Sequence, residues 1–434
     1  MTEQAVPRVH QRASGRSGWL LGLIVFAAAL ALIVLRITAL SRWSGVRLNA
    51  PWLMTDFKSA IFCPVALFLQ GGNPYSREQY LHFCPVQDVF PLYLPATLIL
   101  HAPFGVLSIN AAAVVYFVAT IALSVFIVML ALRLTSGEAT VGSVLLGAGL
   151  LLLSRPGQWN LLLGQPALEL AIATYVAMYW ARRAPLLSGL AVAVTLYKPT
   201  FGVPLAVLML VRGDGRAVAA AAVFAAILNV PPLLVLLGRS GGLDPFIQEL
   251  LRSQRAWQDV VNPAALVWGV DLPSLVAKAL GVRLAPGAYV ALSLAVLGAT
   301  AAALRSLRHT KERLMEHLSA SLICLGILLS LHHHGYDLVL LVAPIVAVAT
   351  SRLPAGFLLR WRRLTVLGLF ALLGANYATT LSVLQHLTHQ RAAWLVLASA
   401  NAIILLAIFL VYVAGSIGIG RSPSGPSESS AVLT

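Results

Sequence analysis

Residues 19–40, with the sequence WLLGLIVFAAALALIVLRITAL, form an apolar run in which Arg36 is the single charge. A membrane-spanning helix needs ~20 mostly apolar residues. The apolar core of a signal peptide is shorter, and no small-residue cleavage site precedes the polar stretch that follows this run. The run therefore predicts a retained transmembrane helix near the N-terminus.

Apolar runs of the same kind continue along the chain. They cover about 108–132, 140–154, 165–181, 186–198, 200–211, 217–238, 286–304, 315–331, 337–351, 364–383 and 392–415. Several are shorter than the ~20 residues that a span needs, so they must borrow flanking residues or form broken helices. The sequence predicts an all-α polytopic membrane protein with about 12 transmembrane helices. We also expect helices along the membrane interface in the first outer loop.

The composition agrees with a membrane protein. Of the 434 residues, 59% are hydrophobic and only 10% are charged, whereas soluble domains carry roughly 25% charged residues. The net charge of +15 arises because 30 Lys and Arg face only 15 Asp and Glu. No dense basic run marks a polar domain, so we expect the cations to set topology and contact membrane lipids, with no nucleic-acid partner.

Charge in the loops predicts the orientation. If the proline-containing segment 92–107 does not cross the membrane, the short cytoplasmic loops hold most of the clustered arginines, as the positive-inside rule requires. If it does cross, the rule fails at nearly every later loop. The predicted organisation is a cytoplasmic basic tail at 1–18, a membrane domain at 19–415 and a disordered cytoplasmic tail at 416–434. The long outer segments are 41–107 and 239–285, and a functional surface facing outward is expected.

Asp56 and Lys198 each have two interpretations. Asp56 either caps a helix, worth ~1 kcal/mol, or acts as a general base just above the membrane. Two further carboxylates in that loop, Glu78 and Asp88, are either solvated loop residues, which the sequence favours, or alternatives to Asp56 as the base. Lys198 precedes Pro199 in an apolar region with no acidic neighbour in sequence. It either extends to the outer headgroups or binds the phosphate of a lipid-linked substrate.

Amide and aromatic residues mark further sites. Gln165 and Glu169 are spaced as an i, i+4 pair on one helix face. Together with Gln158 and Asn160, these side chains have two interpretations: they hydrogen-bond a sugar, or they form hydrogen bonds between helices. The GGNPY motif at 71–75 is either a turn between interfacial helices or places Tyr75 at a substrate mouth. Trp257, Arg252 and Arg255 suit a sugar phosphate or an ordinary amphipathic helix.

Histidine and cysteine complete the candidates. Three consecutive histidines at 332–334 cannot all converge on one ion, and no zinc-motif spacing accompanies them, so no metal is expected. His333 and His334 contact a phosphate or sugar, or are structural. Whether Cys63 and Cys84 form a disulfide stays open. There is no Gly-rich nucleotide-binding motif, which argues against an ATP-driven pump.

These features together resemble the GT-C superfamily of integral-membrane glycosyltransferases. The resemblance is carried by Asp56-Phe57-Lys58, Gly72-Asn73-Pro74-Tyr75, Leu92-Tyr93-Leu94-Pro95, Ala102-Pro103-Phe104-Gly105, Gly164-Gln165 and Lys198-Pro199. It covers about 40–410 and is strongest for the actinobacterial polyprenyl-phosphate-sugar-dependent mannosyl- and arabinofuranosyltransferases. Two departures are Leu94-Pro95, where a double proline is usual, and the late loop His332-His333-His334-Gly335-Tyr336.

The resemblance implies a GT-C fold and an inverting transferase in a bacterial plasma membrane. Its active site would face the extracytoplasmic side. Mannose or arabinofuranose would pass from a polyprenyl-phosphate donor to a glycolipid or polysaccharide acceptor, without a cofactor. Asp56 is implied as the general base. The candidate substrate-binding residues are Lys58, Tyr75, Tyr93, Gln165, Lys198, Arg252, Arg255, His333 and His334.

Two alternatives to an enzyme remain. A flippase or other secondary transporter of a lipid-linked sugar also has many spans and broken helices. Transporters usually contain internal repeats, whereas the two halves of this sequence show none and the long first loop is asymmetric. A non-catalytic assembly factor is the third interpretation.

Overall fold

A computed structural model of the protein describes residues 11–43, 53–84, 90, 93–135, 138–260, 268–308, 313–353, 357, 360–379, 383 and 390–421. The described residues form helices joined by turns and short loops, and the β-type pairing among them is one antiparallel bridge between Gly269 and His334. The helices in chain order are α1 Gln11–Trp43, α2 Phe57–Leu69, α3 Arg77–Phe83, α4 Ala96–Leu100, α5 Ala102–Gly105, α6 Ile109–Thr135, α7 Val141–Leu153, α8 Arg155–Leu163, α9 Ala167–Trp180, α10 Pro185–Thr195, α11 Pro199–Arg212, α12 Gly215–Ser240, α13 Leu243–Val260, α14 Leu272–Leu280, α15 Pro286–Ser306, α16 Arg313–Ser330, α17 Val342–Ala349, α18 Arg360–Ala375 and α19 Arg391–Arg421.

Every apolar run found in the sequence corresponds to a helix, which confirms the all-α fold class. Within the described residues, five helices are long and apolar enough to cross a membrane by themselves: α1, α6, α12, α15 and α19. The pair α8 and α9 meets the same criterion jointly but bends by 117°. Six further apolar helices are shorter than a full span. The protein is therefore a multi-pass membrane protein.

The tails and the segment at 92–107 differ in detail from the expected boundaries. α1 already begins at Gln11, inside the predicted basic tail, and α19 continues to Arg421, beyond the predicted end of the membrane domain. Residues 1–10 and 422–434 lie outside the described residues. In the proline-containing segment, α4 and α5 have five and four residues. Both are far shorter than the ~20 residues of a spanning helix.

Small residues allow α1 to pack closely along α7. A Cβ atom on Gly22 would lie 2.3 Å from the carbonyl oxygen of Gly142, and one on Gly149 would lie 2.9 Å from the backbone nitrogen of Phe26. Close backbone approach at small residues is the usual way in which membrane helices associate. This contact brings the C-terminal part of α1 beside the start of α8, which directly follows α7.

The segment predicted as the first outer loop contains two short helices, and it is called the first outer loop below. α2 and α3 are joined by the GGNPY turn, in which Gly71 has a φ of +93°. The Asn73 amide reaches α13, where its Nδ2 donates to Glu249 Oε2 at 2.7 Å. A disulfide links Cys63 to Cys84 and closes the loop. The predicted turn between two helices is thus present.

Removing this disulfide is expected to loosen the first outer loop. The bond closes a segment of 21 residues, and loop-closure entropy for that length corresponds to about 3 kcal/mol. We expect the Cys63→Ala/Cys84→Ala variant to unfold earlier in a thermal scan in detergent. Thiol labelling of the denatured wild-type protein provides the check, because Cys324 is the remaining free thiol. Labelling of three thiols without prior reduction would contradict the pairing.

Candidate active site

Asp56 lies at the start of α2, whose first turns, Phe57–Phe62, are wound as a π-helix. Its side chain is half-buried and makes no capping hydrogen bond to α2. Instead, the Gln165 Nε2 amide donates to Asp56 Oδ2. The helix-cap interpretation of Asp56 is therefore not supported, and the carboxylate is held by a side chain from a distant part of the chain.

The break between α8 and α9 delivers Gln165 to Asp56. Gly164 ends α8 with a φ of +72°, and a Cβ there would lie 2.5 Å from the Phe57 Cβ, so only glycine fits. The backbone of Met54 donates to Leu162 O at 2.7 Å and fixes the two segments together. Because α9 starts only at Ala167, Gln165 and Glu169 do not share one helix face, contrary to the sequence-based expectation.

Lys198 has a buried acidic partner that sequence proximity did not reveal. Its Nζ lies 2.9 Å from Asp337 Oδ1, and both side chains are buried. Asp337 Oδ2 lies 3.0 Å from His333 Nδ1, and His333 Nε2 lies 3.2 Å from Thr200 O. Lys198 therefore does have an acidic partner in the fold, and the sequence did not reveal it because 139 residues separate the two in the chain.

Two tyrosines lie within electrostatic range of both this ion pair and Asp56. Tyr93 is nearly buried, and burial raises its pKa. The carboxylates of Asp337 and Asp56 raise the pKa of Tyr93 further. Its hydroxyl therefore stays protonated and can donate a hydrogen bond at any physiological pH. Tyr336 likewise lies within electrostatic range of Asp337 and Asp56. Lys198 Nζ lies 5.2 Å from the centroid of the Tyr336 ring. Asp56, both tyrosines and Lys198 are together called the cluster below.

The three histidines do not point to a common centre. His333 faces Asp337, whereas His332 Nε2 lies 3.1 Å from His334 Nε2. The ring of His334 stacks on Tyr336 with centroids 5.2 Å apart. Desolvation and then the neighbouring His332 lower the pKa of His334 to about 3. His334 is thus neutral near pH 7 and can offer a hydrogen bond but no charge.

A second carboxylate, the half-buried Glu169, forms a separate network with buried partners. Its Oε1 lies 3.0 Å from His101 Nε2 and accepts from the Tyr197 hydroxyl at 2.7 Å. His101 also lies 3.1 Å, through Nδ1, from Thr97 O. Sequence reasoning missed His101 and Tyr197 as site residues. The only signals were a histidine between two prolines and a tyrosine directly before Lys198.

The contact between Glu169 and His101 is expected to make stability depend on pH. Burial acts to lower the pKa of His101, but the Glu169 carboxylate more than offsets it, so the pKa is raised above 6.5. A raised histidine pKa stabilises the fold below the unfolded value and loses that effect as pH rises through the folded value. In thermal scans, Glu169→Gln should therefore destabilise the protein more at pH 6 than at pH 9. An equal effect at both pH values would contradict a charged pair.

The remaining candidate residues lie around this centre at different depths. Tyr75 is buried, and its hydroxyl donates to Tyr93 O at 2.5 Å, so its hydrogen bond is already used inside the protein. Lys58 is half-buried on the π-helical segment that directly follows Asp56. Arg252 and Arg255 are exposed on α13. The contact that the structure gives Arg252 is with Gln248, one turn away.

Buried polar atoms without partners surround the cluster. They are Asn160 Oδ1, Gln165 Oε1, Thr200 Oγ1 and Trp268 Nε1, within the part of the chain that the structure describes. Asn160 reaches Tyr336 O through its other amide atom at 2.8 Å, and Trp268 packs edge-on against Trp159. Each unpaired buried group costs ~1–3 kcal/mol. A ligand rich in hydroxyl groups, beside two indole rings, would satisfy them.

Comparison with known proteins identifies the family. The model of glycosyltransferase family 87 matches residues 92–331, which is more than half of the chain. The match includes Tyr93, Gln165 and Lys198 and ends just before the three histidines. No curated protein matches the chain. The chain therefore belongs to glycosyltransferase family 87 and is a membrane glycosyltransferase.

Proposed function

We propose that the protein is an inverting glycosyltransferase that uses a polyprenyl-phosphate-linked sugar, mannose or arabinofuranose, and acts at the extracytoplasmic face. The acceptor is a glycolipid or polysaccharide of the cell envelope of an actinobacterium. The proposal includes a GT-C fold of about 12 spans with both termini in the cytoplasm. The observation that carries it is the half-buried Asp56 carboxylate, held by Gln165 beside Tyr93, Tyr336 and the Lys198–Asp337 pair.

The proposed reaction is a single displacement. Asp56 removes the proton of an acceptor hydroxyl while that oxygen attacks the anomeric carbon of the donor sugar. The bond between the anomeric carbon and the phosphate oxygen breaks, and the polyprenyl phosphate leaves with the electron pair. Since attack and departure occur on opposite faces, the anomeric configuration inverts. Base catalysis of this kind contributes ~10²–10⁴-fold to the rate.

The leaving phosphate requires positive charge or hydrogen-bond donors nearby. An ammonium group has three donors, and Asp337 accepts one from Lys198, so Lys198 is the first candidate to bind the phosphate. Neutral His334 can add a hydrogen bond, whereas both ring nitrogens of His333 are engaged with Asp337 and Thr200, so His333 positions Asp337 behind Lys198. Arg252 and Arg255 are exposed on α13 and suit a contact with the phosphate at the membrane surface, as does Lys58. In this scheme no metal or other cofactor is needed.

Two features support an extracytoplasmic site. The Cys63–Cys84 disulfide lies in the same outer loop as Asp56, and disulfides persist in oxidising compartments. A donor that is already activated as a lipid phosphodiester needs no nucleotide, which agrees with the lack of a nucleotide-binding motif in the sequence. Both substrates are then held at one membrane surface, and positioning supplies much of the remaining rate enhancement.

The proposal is tested by a donor comparison with purified protein in liposomes. Radiolabelled polyprenyl-phosphate-mannose, polyprenyl-phosphate-arabinofuranose and the matching nucleotide sugars are offered with a lipid extract as acceptor. We expect transfer from one of the polyprenyl-phosphate donors, unaffected by a metal chelator. Transfer only from a nucleotide sugar would contradict the donor class. Movement of the intact lipid-linked sugar across the bilayer without transfer would favour the flippase.

A further inference from the structure

Two arginines from different helices meet at the outer end of α1. Arg36 is the single charge in the first apolar run, and its Nη1 donates to Gln158 Oε1 on α8. Arg155 is the first residue of α8 and lies one turn before Gln158. The two guanidinium groups are close enough to repel each other. The cluster of Arg36, Arg155 and Gln158 is called the outer arginine cluster below.

Arg155 is buried yet lacks an acidic partner. Arg155 is only 7% exposed, and its Nε has no hydrogen-bond partner within the described residues. The guanidinium lies 4.0 Å above the ring of Trp159. Neither arginine has an ion pair in the part of the chain that the structure describes. The neighbouring stretches 37–53, 139–168 and 370–400 contain no Asp or Glu at all.

Three electrostatic effects destabilise the outer arginine cluster when no anion is bound. Two like charges lie side by side, and one of them is removed from water. Arg155 also occupies the first turn of α8, where the helix dipole is positive and favours negative charge. An anion at this position relieves all three effects at once. The helix start at Ser154 and a buried, unpartnered guanidinium are independent features that favour the same ligand charge.

The surroundings indicate which anion. Arg36 lies near the outer end of the candidate span Gly18–Ala39. The adjacent side chains on α1 are apolar and exposed, with Leu32 at 52%, Val34 at 58% and Leu35 at 62%. Such a surface suits acyl chains, and guanidinium groups match the oxygens of a phosphate in a bidentate manner. We propose that the outer arginine cluster binds the phosphate group of an anionic phospholipid in the outer leaflet.

The site is separate from the proposed transfer reaction and uses none of its residues. Trp159 lies between them, because its ring carries Arg155 on one side and packs against Tyr336 with centroids 6.3 Å apart. A bound headgroup would therefore fix Arg155 and, through Trp159, one wall of the candidate active site. The test below measures lipid binding and not transfer, so its failure leaves the proposed function untouched.

Native mass spectrometry of the full chain in neutral detergent measures the binding. Phosphatidylglycerol is the probe, a diacylglycerol with the same chains is the uncharged comparison, and inorganic phosphate is the soluble anion. We expect Arg36→Gln and Arg155→Gln each to bind phosphatidylglycerol about tenfold more weakly, since one charge-assisted bond is lost. Arg283→Gln is the matched control, because Arg283 is exposed on the outer side and outside the cluster; its affinity should equal that of the wild type.

Thermal unfolding of the same variants gives an independent readout. Without anionic lipid, Arg155→Gln should unfold at the wild-type temperature or above it, because a buried, unpartnered charge has been removed. With phosphatidylglycerol, the wild type should gain stability and Arg155→Gln should gain little. Equal lipid binding by all variants would overturn the proposal. So would an Arg155→Gln variant that is less stable than the wild type by the same amount with and without phosphatidylglycerol. Stabilisation by inorganic phosphate equal to that by phosphatidylglycerol would overturn the assignment to a lipid.

Discussion

Replacing Asp56 by Asn should abolish sugar transfer while the protein still folds. The amide has nearly the same shape as the carboxylate, and its oxygen can still accept the hydrogen bond from Gln165. It cannot accept the proton of the acceptor hydroxyl. Because a general base contributes ~10²–10⁴-fold to the rate, we expect kcat to fall by that factor. Initial rates with the polyprenyl-phosphate donor, at equal amounts of folded protein, measure the change.

Two further variants make this test specific. Glu78 is an exposed carboxylate of the same outer loop, so Glu78→Gln should leave the rate unchanged and serves as the matched control. Gln165→Leu removes the side chain that holds Asp56 but keeps the carboxylate. It should reduce the rate by a smaller factor, on the order of tenfold, because one hydrogen bond is lost. Near wild-type turnover in Asp56→Asn would refute the role of Asp56.

Breaking the Lys198–Asp337 pair should have the largest effect on stability. Both partners are buried and joined at 2.9 Å. Removing one member of a buried pair leaves an uncompensated charge, which costs ~3–5 kcal/mol. We therefore expect Lys198→Met and Asp337→Leu each to lower the unfolding temperature strongly. Thermal scans in detergent, followed by fluorescence or by loss of the monomeric peak in size-exclusion chromatography, measure the loss.

The double variant separates stability from substrate binding. Lys198→Met/Asp337→Leu replaces both charges by apolar groups, so much of the lost stability should return. If Lys198 also binds the departing phosphate, the double variant should remain poorly active although its stability is restored. A double variant with both stability and turnover restored would assign the pair a purely structural role. Wild-type stability in either single variant would contradict the buried pair itself.

Much of the fold could be predicted because the length and composition of apolar runs determine where membrane helices form. The sequence alone could not establish how many of these helices are complete spans. The apolar run at 165–181 predicts one helix, but the structure places a second helix, α8, directly before it and turns by 117° at Gly164–Pro166 between the two. Whether such a break ends a span or bends it depends on what packs against it, here the start of α2, and local sequence does not encode that contact.

The candidate site was only partly visible in the sequence. Asp56 could be singled out because carboxylates are scarce in a chain of this kind and this one follows the first span. The partners of the other polar residues could not be predicted from the sequence. Lys198 and Asp337 are 139 residues apart, and His101 and Glu169 are 68 apart. Such contacts arise from tertiary packing of helices, and a single sequence carries no period or motif that pairs them.

The anomeric configuration of the product tests the central claim most directly. A purified polyprenyl-phosphate sugar of known configuration is converted by the wild-type protein, and the new glycosidic bond is assigned by NMR from its one-bond carbon–proton coupling. A single displacement assisted by one base predicts a product of the opposite configuration to the donor. A product that retains the donor configuration would require a second nucleophile on the enzyme and would contradict the mechanism assigned to Asp56.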